Sequence, residues 1–464
     1  MTNPAARERV EGSAPSEGPN PPQVAGNRRS ELLVRDATSV WHPFTQHARW
    51  LEDDPVVVDR AEGMYLWDVD GRRYLDGNSS LWVNVHGHAV PELDAAINNQ
   101  LRRLDHTTFL GSTHEPGIEL AERLLATVPD GLTRAFFGGD GASSVEAAIK
   151  MAFQAAAQRG ERRPLYAHVA QGYHGDTLGA VSVGGIDVFH ATYRPILLDT
   201  VKVGSPGVLG AGQSRADRAA VVVVELRTLF EQQGGAVCAV IVEPLVQAAA
   251  GILTHDVTFL QGVRTLCDEF GAFMIVDEVA TGVGRTGTFW AVEQAGVTPD
   301  LLTCGKGVTA GYLPLSAVLA TDEIYEAFLG APQEARTFFH GHSYTANPLC
   351  CAVANANLEL IASRGVIDHA ASVGEKLGAW LAPLEEYDGV KEIRRVGTMT
   401  GIEVHGVEGV ERTGFEVCRR MRELGVLTRP LDDVVVLMPP LAIGDEDLRL
   451  LVDVASRAVR EVVQ

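Results

Sequence analysis

A chain of 464 residues, 46% of them hydrophobic, can bury a large core and has the length of two or three domains. Its formal net charge of -21 repels phosphate backbones and anionic bilayers, and its arginine clusters are only pairs, so neither nucleic acid nor a membrane surface is an expected partner. No apolar run reaches bilayer length and the N-terminus lacks a signal-like hydrophobic stretch, so a cytoplasmic location is expected, with Cys238, Cys267, Cys304, Cys350, Cys351 and Cys418 as reduced thiols.

Residues 1–30 are rich in Pro, Gly, Ser, Ala and charge; they bury too little surface to offset ordering entropy, which predicts a disordered tail. Two short alternating runs, Gly63 to Asp68 and Gly71 to Asp76, flank the turn signal Asp70-Gly71 and predict a hairpin. From about residue 90, helical patterns at 92–104, 115–127, 143–158 and 257–270 alternate with apolar runs at 134–138, 239–243 and 272–277. That alternation predicts an α/β fold with a mainly parallel sheet covered by helices on both faces. A helical stretch at 366–384, strands near 399–404 and 434–438 and a closing helix at 445–462 predict a smaller α+β unit. The expected plan is a large domain over 79–363, with 31–78 and 364–464 forming the small one.

Phe136-Phe137-Gly138-Gly139-Asp140-Gly141-Ala142-Ser143-Ser144-Val145-Glu146 joins a short strand to a helix, and Ser143 with Glu146 makes a capping-box pattern. Its glycines let backbone approach closely, so the N–H groups of Gly141 and Ala142 at the positive helix end are candidates for binding a phosphate. Most glycine-rich turns are only turns, and neighbouring segments must carry the inference further. Tyr173, set among glycines in Gln171-Gly172-Tyr173-His174-Gly175-Asp176-Thr177, is a candidate cover for one face of a flat ring. Glu243-Pro244 and Gln247 end a buried strand at the sheet edge where open α/β folds bind ligands.

The apolar run Ala272-Phe273-Met274-Ile275-Val276 ends in Asp277-Glu278-Val279, which puts Asp277 and Val279 on the same face. Of the five lysines (150, 202, 306, 376 and 391), only Lys306 is framed by glycines inside an apolar stretch, Leu301 to Leu319. A carboxylate ending a buried strand, followed by such a lysine, is what pyridoxal phosphate (PLP) requires. The amine forms a Schiff base with the aldehyde, and the aspartate keeps the pyridine nitrogen protonated so that the ring draws electrons from a carbanion. Gly-Lys-Gly alone is an ordinary surface turn; Asp277 and the phosphate loop favour the cofactor reading.

Asp277 to Gly287, reading DEVATGVGRTG, and Gly305-Lys306-Gly307 resemble the PLP-dependent class III aminotransferases of fold type I, from about residue 34 to the C-terminus. Trp41 to Gln46, Ser79 to His88, Tyr173 to Thr177 and His340 to Thr345 are similar to the biotin-pathway branch of that class. The resemblance implies a seven-stranded, mainly parallel sheet in the large domain, and a homodimer with shared active sites. It implies Lys306 as the Schiff-base lysine, Asp277 as the pyridine partner, and Gly141 and Ala142 as phosphate-loop residues; the commoner pattern has serine where Ala142 stands, so one side-chain hydrogen bond is missing. His342 and Ser343 are implied to reach the phosphate held by the other subunit. Tyr173 and Gly341 match substrate-contacting positions, Arg429 matches the arginine that holds the keto substrate's carboxylate, and Phe44, Leu81 and Trp82 shape the donor and acceptor site.

The implied reaction is ping-pong, with S-adenosylmethionine as amino donor and 8-amino-7-oxononanoate as keto acceptor. Phe44 stands where that pattern commonly has tyrosine and Leu81 where it has tryptophan, which looks closer to the branch using L-lysine as donor. A broader ω-amino-acid or diamine aminotransferase shares the class core and is distinguished by Trp41 to Gln46 and Arg429. Non-catalytic scaffold proteins of this fold would lack Lys306 or Asp277. A metal enzyme using His86, His88, His106, His114, His174, His340 and His342 is a further alternative; His86 and His88 are alternate residues with no flanking carboxylate ligand at helical spacing, so polar structural roles and no metal are expected.

Overall fold

The computed structural model describes residues 25–464, with side chains from Arg28 onward. Two compact units divide the chain: residues up to Arg60 together with Trp67–Arg72, and Ala61–Leu66 together with Arg73–Gln464. Most of the predicted tail lies outside the described residues, but its last six belong to the helix Ala25–Ser39. There the tail expectation is corrected. The helix is secured by Arg28 to Asp59 at 3.0 Å and by Asp36, which accepts from Trp50 Nε1 at 2.6 Å and meets His42 Nε2 at 2.9 Å. Trp41 and Phe44, in this unit, are 90% and 61% exposed.

In the larger unit a seven-stranded sheet runs in the order Leu132–Gly138, Ser316–Thr321, Leu301–Cys304, Phe273–Asp277, Val237–Val242, Leu165–Val169, Thr200–Val203. Every pairing is parallel except the two made by Ser316–Thr321. The central strands are buried on both faces, which is why they read as continuous apolar runs rather than as alternation. Phe273 and Ile275 join one core cluster, Met274 and Val276 the other. The first face is covered by Gly141–Gln158, whose buried Ala147, Ala148, Ala152 and Ala155 let the helix lie close to the sheet. On the second face Val257–Phe270 buries Phe259, Leu260, Val263 and Leu266, each contributing about 1.5–3 kcal/mol of transfer free energy.

The predicted hairpin forms, with the Asp76 N–H donating to the Met64 carbonyl at 2.9 Å and that of Asp68 to Arg72 at 3.0 Å. A second sheet runs Val390–Val396, Met399–Val404, Val434–Leu437, Pro430–Leu431, all antiparallel, while Val426–Leu427 pairs in parallel with Arg73–Asp76. The helices Val366–Glu385 and Asp445–Val462 supply its core through Leu377, Leu381, Leu448, Leu451 and Val459. All six cysteines are free and buried, Cys350 and Cys351 in the helix Pro348–Ser363.

Candidate active site

Val237–Val242, Phe273–Asp277 and Leu301–Cys304 are parallel and therefore finish at the same sheet edge. Glu243, Asp277 and Lys306 leave those three ends and open into one cavity of about 700 Å³. Trp82, Gly141, Ala142, Tyr173 and Val279 also line it. Gln247, Leu81, Gly341, His342, Ser343 and Arg429 are outside that lining, and Phe44 belongs to the other unit.

Lys306 opens a short 3-10 turn, Lys306–Thr309, with φ at +46°. A left-handed lysine is costly, and such strain persists only where its surroundings over-determine it. Its ammonium lies 4.8 Å from the centre of the Trp82 ring. Trp82, also left-handed at φ +64°, is fastened through Nε1 to Asn78 Oδ1 at 3.0 Å. Burial pushes the Lys306 amine down to about 8, against the opposing pull of Asp277 and Glu243.

Asp277 is paired in register with Thr303 on the adjacent strand. Its Oδ1 accepts from Thr303 Oγ1 at 3.1 Å and from the Val279 N–H at 3.0 Å, while Oδ2 accepts from His174 Nδ1 at 2.7 Å. Acceptance by a carboxylate puts the imidazole proton on Nδ1. His174 and Asp277 are 103 residues apart, so this contact has no local sequence signal; the glycines around Tyr173-His174 are the only hint. Glu243 accepts from the Tyr173 N–H at 3.1 Å and the Ala248 N–H at 2.9 Å, and burial pushes its carboxyl up to about 7.

The helix Gly141–Gln158 begins one turn earlier than the capping-box pattern implied. Asp140 is the N-cap, its Oδ1 accepting from the Ser143 N–H at 2.8 Å and Ser143 Oγ at 3.0 Å. Asp140 supplies the acceptor three residues upstream, so Ser143 becomes the third helical residue and the Ser143–Glu146 box does not form. Glu146 instead accepts from the Gly179 N–H at 2.8 Å. Among the described residues no acceptor is bonded to the N–H groups of Gly141 and Ala142, which line the cavity at the positive end of an 18-residue helix. A Cβ on Gly141 would meet Val279 Cγ1 at 2.7 Å, and one on Gly175, at φ +113°, would meet the Ala142 methyl at 2.4 Å. Glycine is required at both positions for the walls to close.

Tyr173 is half-buried, bonded through its hydroxyl to Asp176 Oδ2 at 2.7 Å. Gln247 is fully buried and already satisfied: Nε2 donates to the Ala170 carbonyl at 2.7 Å, and Oε1 accepts from Ser205 Oγ. Leu81, Gly341, His342 and Ser343 are exposed. Arg429 is half-buried, feels Tyr173 as an electrostatic neighbour, and pairs with no carboxylate among the described residues. The histidines go to separate partners: His86 to Asn357, His88 to Asp76, His114 to the Ala346 carbonyl. Among the described residues no three His, Cys, Asp or Glu side chains gather as metal ligands.

A family model for aminotransferase class III matches residues 47–459. The adenosylmethionine-8-amino-7-oxononanoate aminotransferase of Nitratidesulfovibrio vulgaris is 46% identical over 455 residues, spanning 96% of this chain and 84% of that protein. The crystal structure of the Methanocaldococcus jannaschii protein of the same name superposes with a TM-score of 0.88 at 36% identity, covering 94% of this chain and 100% of that one. An amine transaminase from an uncultivated Pseudomonas species, solved in its PLP-bound form, gives a TM-score of 0.86 at 32% identity, covering 91% and 99%. With a model match over most of its length and relatives this similar end to end, the chain belongs to the class III aminotransferases, enzymes of PLP fold type I.

Proposed function

We propose that this aminotransferase converts 8-amino-7-oxononanoate to 7,8-diaminononanoate in biotin biosynthesis, with S-adenosylmethionine as amino donor. One observation carries the reading. A Lys306 amine brought down to about 8 by its surroundings, the Asp277 carboxylate and two helix-terminal amides with no acceptor among the described residues meet in a single cavity, beside relatives named for this reaction. Those groups fit PLP, whose cationic ring, when bound, accepts the electron pair left as a carbon–hydrogen bond beside the nitrogen breaks.

Lys306 would hold the cofactor through its amine, and its Nζ would carry the proton that moves during the reaction. Asp277, held by His174, Thr303 and the Val279 N–H, keeps the ring nitrogen protonated. The amides of Gly141 and Ala142 would hold the phosphate, and Val279 and Tyr173 would contact the ring. His342 and Ser343, exposed and outside this chain's cavity lining, serve the phosphate of a second copy in a homodimer with shared sites. Trp82, Tyr173 and Gly341 contact substrate, with Leu81 shaping the donor end. The reading puts the enzyme in the cytoplasm, acting on small molecules; no helix among the described residues is long and apolar enough to cross a membrane.

Arg429 binds the carboxylate of the acceptor, a task suited to a planar guanidinium left half-buried with no ion pair among the described residues. Arg429→Leu is expected to raise the acceptor KM by about 10²-fold, the cost of losing charged hydrogen bonds, and Arg429→Lys to recover only part of it. Steady-state kinetics with varied 8-amino-7-oxononanoate checks this.

The donor is tested by half-reaction spectroscopy. Adding S-adenosylmethionine alone is expected to bleach the cofactor's visible band. Bleaching by L-lysine and not by S-adenosylmethionine would assign the donor to lysine, the second reading, which Phe44 and Leu81 favour. Turnover of simple ω-amino acids with pyruvate, and none with 8-amino-7-oxononanoate, would replace both with the broader activity.

A further inference from the structure

We infer that Asn357 is a positioning residue for Lys306, an assignment that rests on Lys306 being the cofactor-binding amine. Asn357 lies on the helix Pro348–Ser363 and is wholly buried. Its Nδ2 donates to the carbonyl of Gly307 at 2.9 Å and to that of Val308 at 2.8 Å, the two residues that follow Lys306. Its Oδ1 faces His86 Nε2 at 2.9 Å. The amide has one workable orientation, because turning it over would set Oδ1 against two carbonyl oxygens. His86 is therefore the donor in that contact, and burial depresses its pKa.

The turn so held is the one that needs holding. Lys306 is left-handed at φ +46°, and backbone bonds at the turn's two ends run from the Val308 N–H to Gly305 at 3.1 Å and from the Ala310 N–H to Gly307 at 3.0 Å. Asn357 grips successive carbonyls of this strained turn from a separate helix, fixing where the Lys306 stem enters the cavity. A shift of about 1 Å in a reacting group is enough to cost on the order of 10²-fold in rate.

The test compares Asn357→Ala with Asn355→Ala in the holoenzyme. Asn355, on the same helix, spends its amide on the Pro116 carbonyl at 3.0 Å and does not bond the Lys306 turn. Asn357→Ala is expected to lower kcat about 10- to 100-fold with KM changed less than about threefold, and to shift the pH at which the cofactor's visible band titrates. Asn355→Ala is expected to lower Tm by a similar amount with kcat and the band unmoved. If Asn357→Ala does not fold, His86→Ala, which frees the outer end of the same amide, is expected to give the same kcat and band changes at smaller size. A lowered Tm with kcat and band pH intact in the variant that folds overturns the inference. Borohydride trapping on Lys306 in the unaltered enzyme judges the underlying reading separately.

Discussion

Lys306→Ala is expected to abolish turnover, by on the order of 10⁶-fold, the scale on which losing a covalent nucleophile acts. The cofactor's visible band should vanish with it, and borohydride followed by peptide mass mapping should find no pyridoxyl adduct at position 306. Wild-type activity in this variant, or an adduct on Lys150 in the unaltered enzyme, contradicts the assignment. The pH dependence follows from burial, which brings the amine down to about 8. Below that pH the amine is protonated and cannot attack an aldehyde; above it the amine is free. Capture of PLP by cofactor-free protein should therefore rise with pH and level off above about 8. At pH 7 about a tenth of the lysine is neutral, a few-hundred-fold more than for an ordinary lysine.

Asp277→Asn is expected to leave PLP bound but to slow the proton-transfer step on the order of 10³-fold, with substrate KM little changed. Single-turnover kinetics with donor alone checks it. Removing the negative charge leaves nothing to hold the ring nitrogen protonated. The hydrogen-bond pattern around the carboxylate worsens the loss. Val279 N–H, Thr303 Oγ1 and His174 Nδ1 all donate to Asp277, and an asparagine amide turned toward His174 would need that imidazole to become an acceptor. The proton would move to His174 Nε2, which is buried with no partner among the described residues. Undiminished proton transfer in Asp277→Asn would remove Asp277 from the mechanism.

Much of the architecture was legible in the chain because each part has a local cause. The apolar run before Asp277 reads as a doubly buried strand and is one, and the patterns at 257–270, 366–384 and 445–462 fall on the helices Val257–Phe270, Val366–Glu385 and Asp445–Val462. The helix start at the phosphate loop was misplaced because Ser143 and Asp140 are both competent caps. Asp140 is the one whose carboxylate reaches the third N–H of the helix as it packs on the sheet. Residues 25–30 looked too polar to order, yet they belong to a helix whose ion pair to Asp59 and whose Asp36 contacts lie outside that short window.

Residue types and their short-range spacing determined on their own that a glycine-framed lysine follows a strand-ending aspartate, that a glycine-rich loop opens a helix, and that the sheet is mainly parallel. These are matters of neighbours in the chain, where periodicity and backbone freedom act. Folding alone decided that His174 grips Asp277, that Asn357, itself bonded by His86, clamps the turn after Lys306, and that Gln247 spends its amide on Ala170 and Ser205 rather than in the cavity. Each of those contacts joins segments tens to hundreds of residues apart. A buried polar group takes whichever partner packing brings within about 3 Å, and no local pattern encodes that choice.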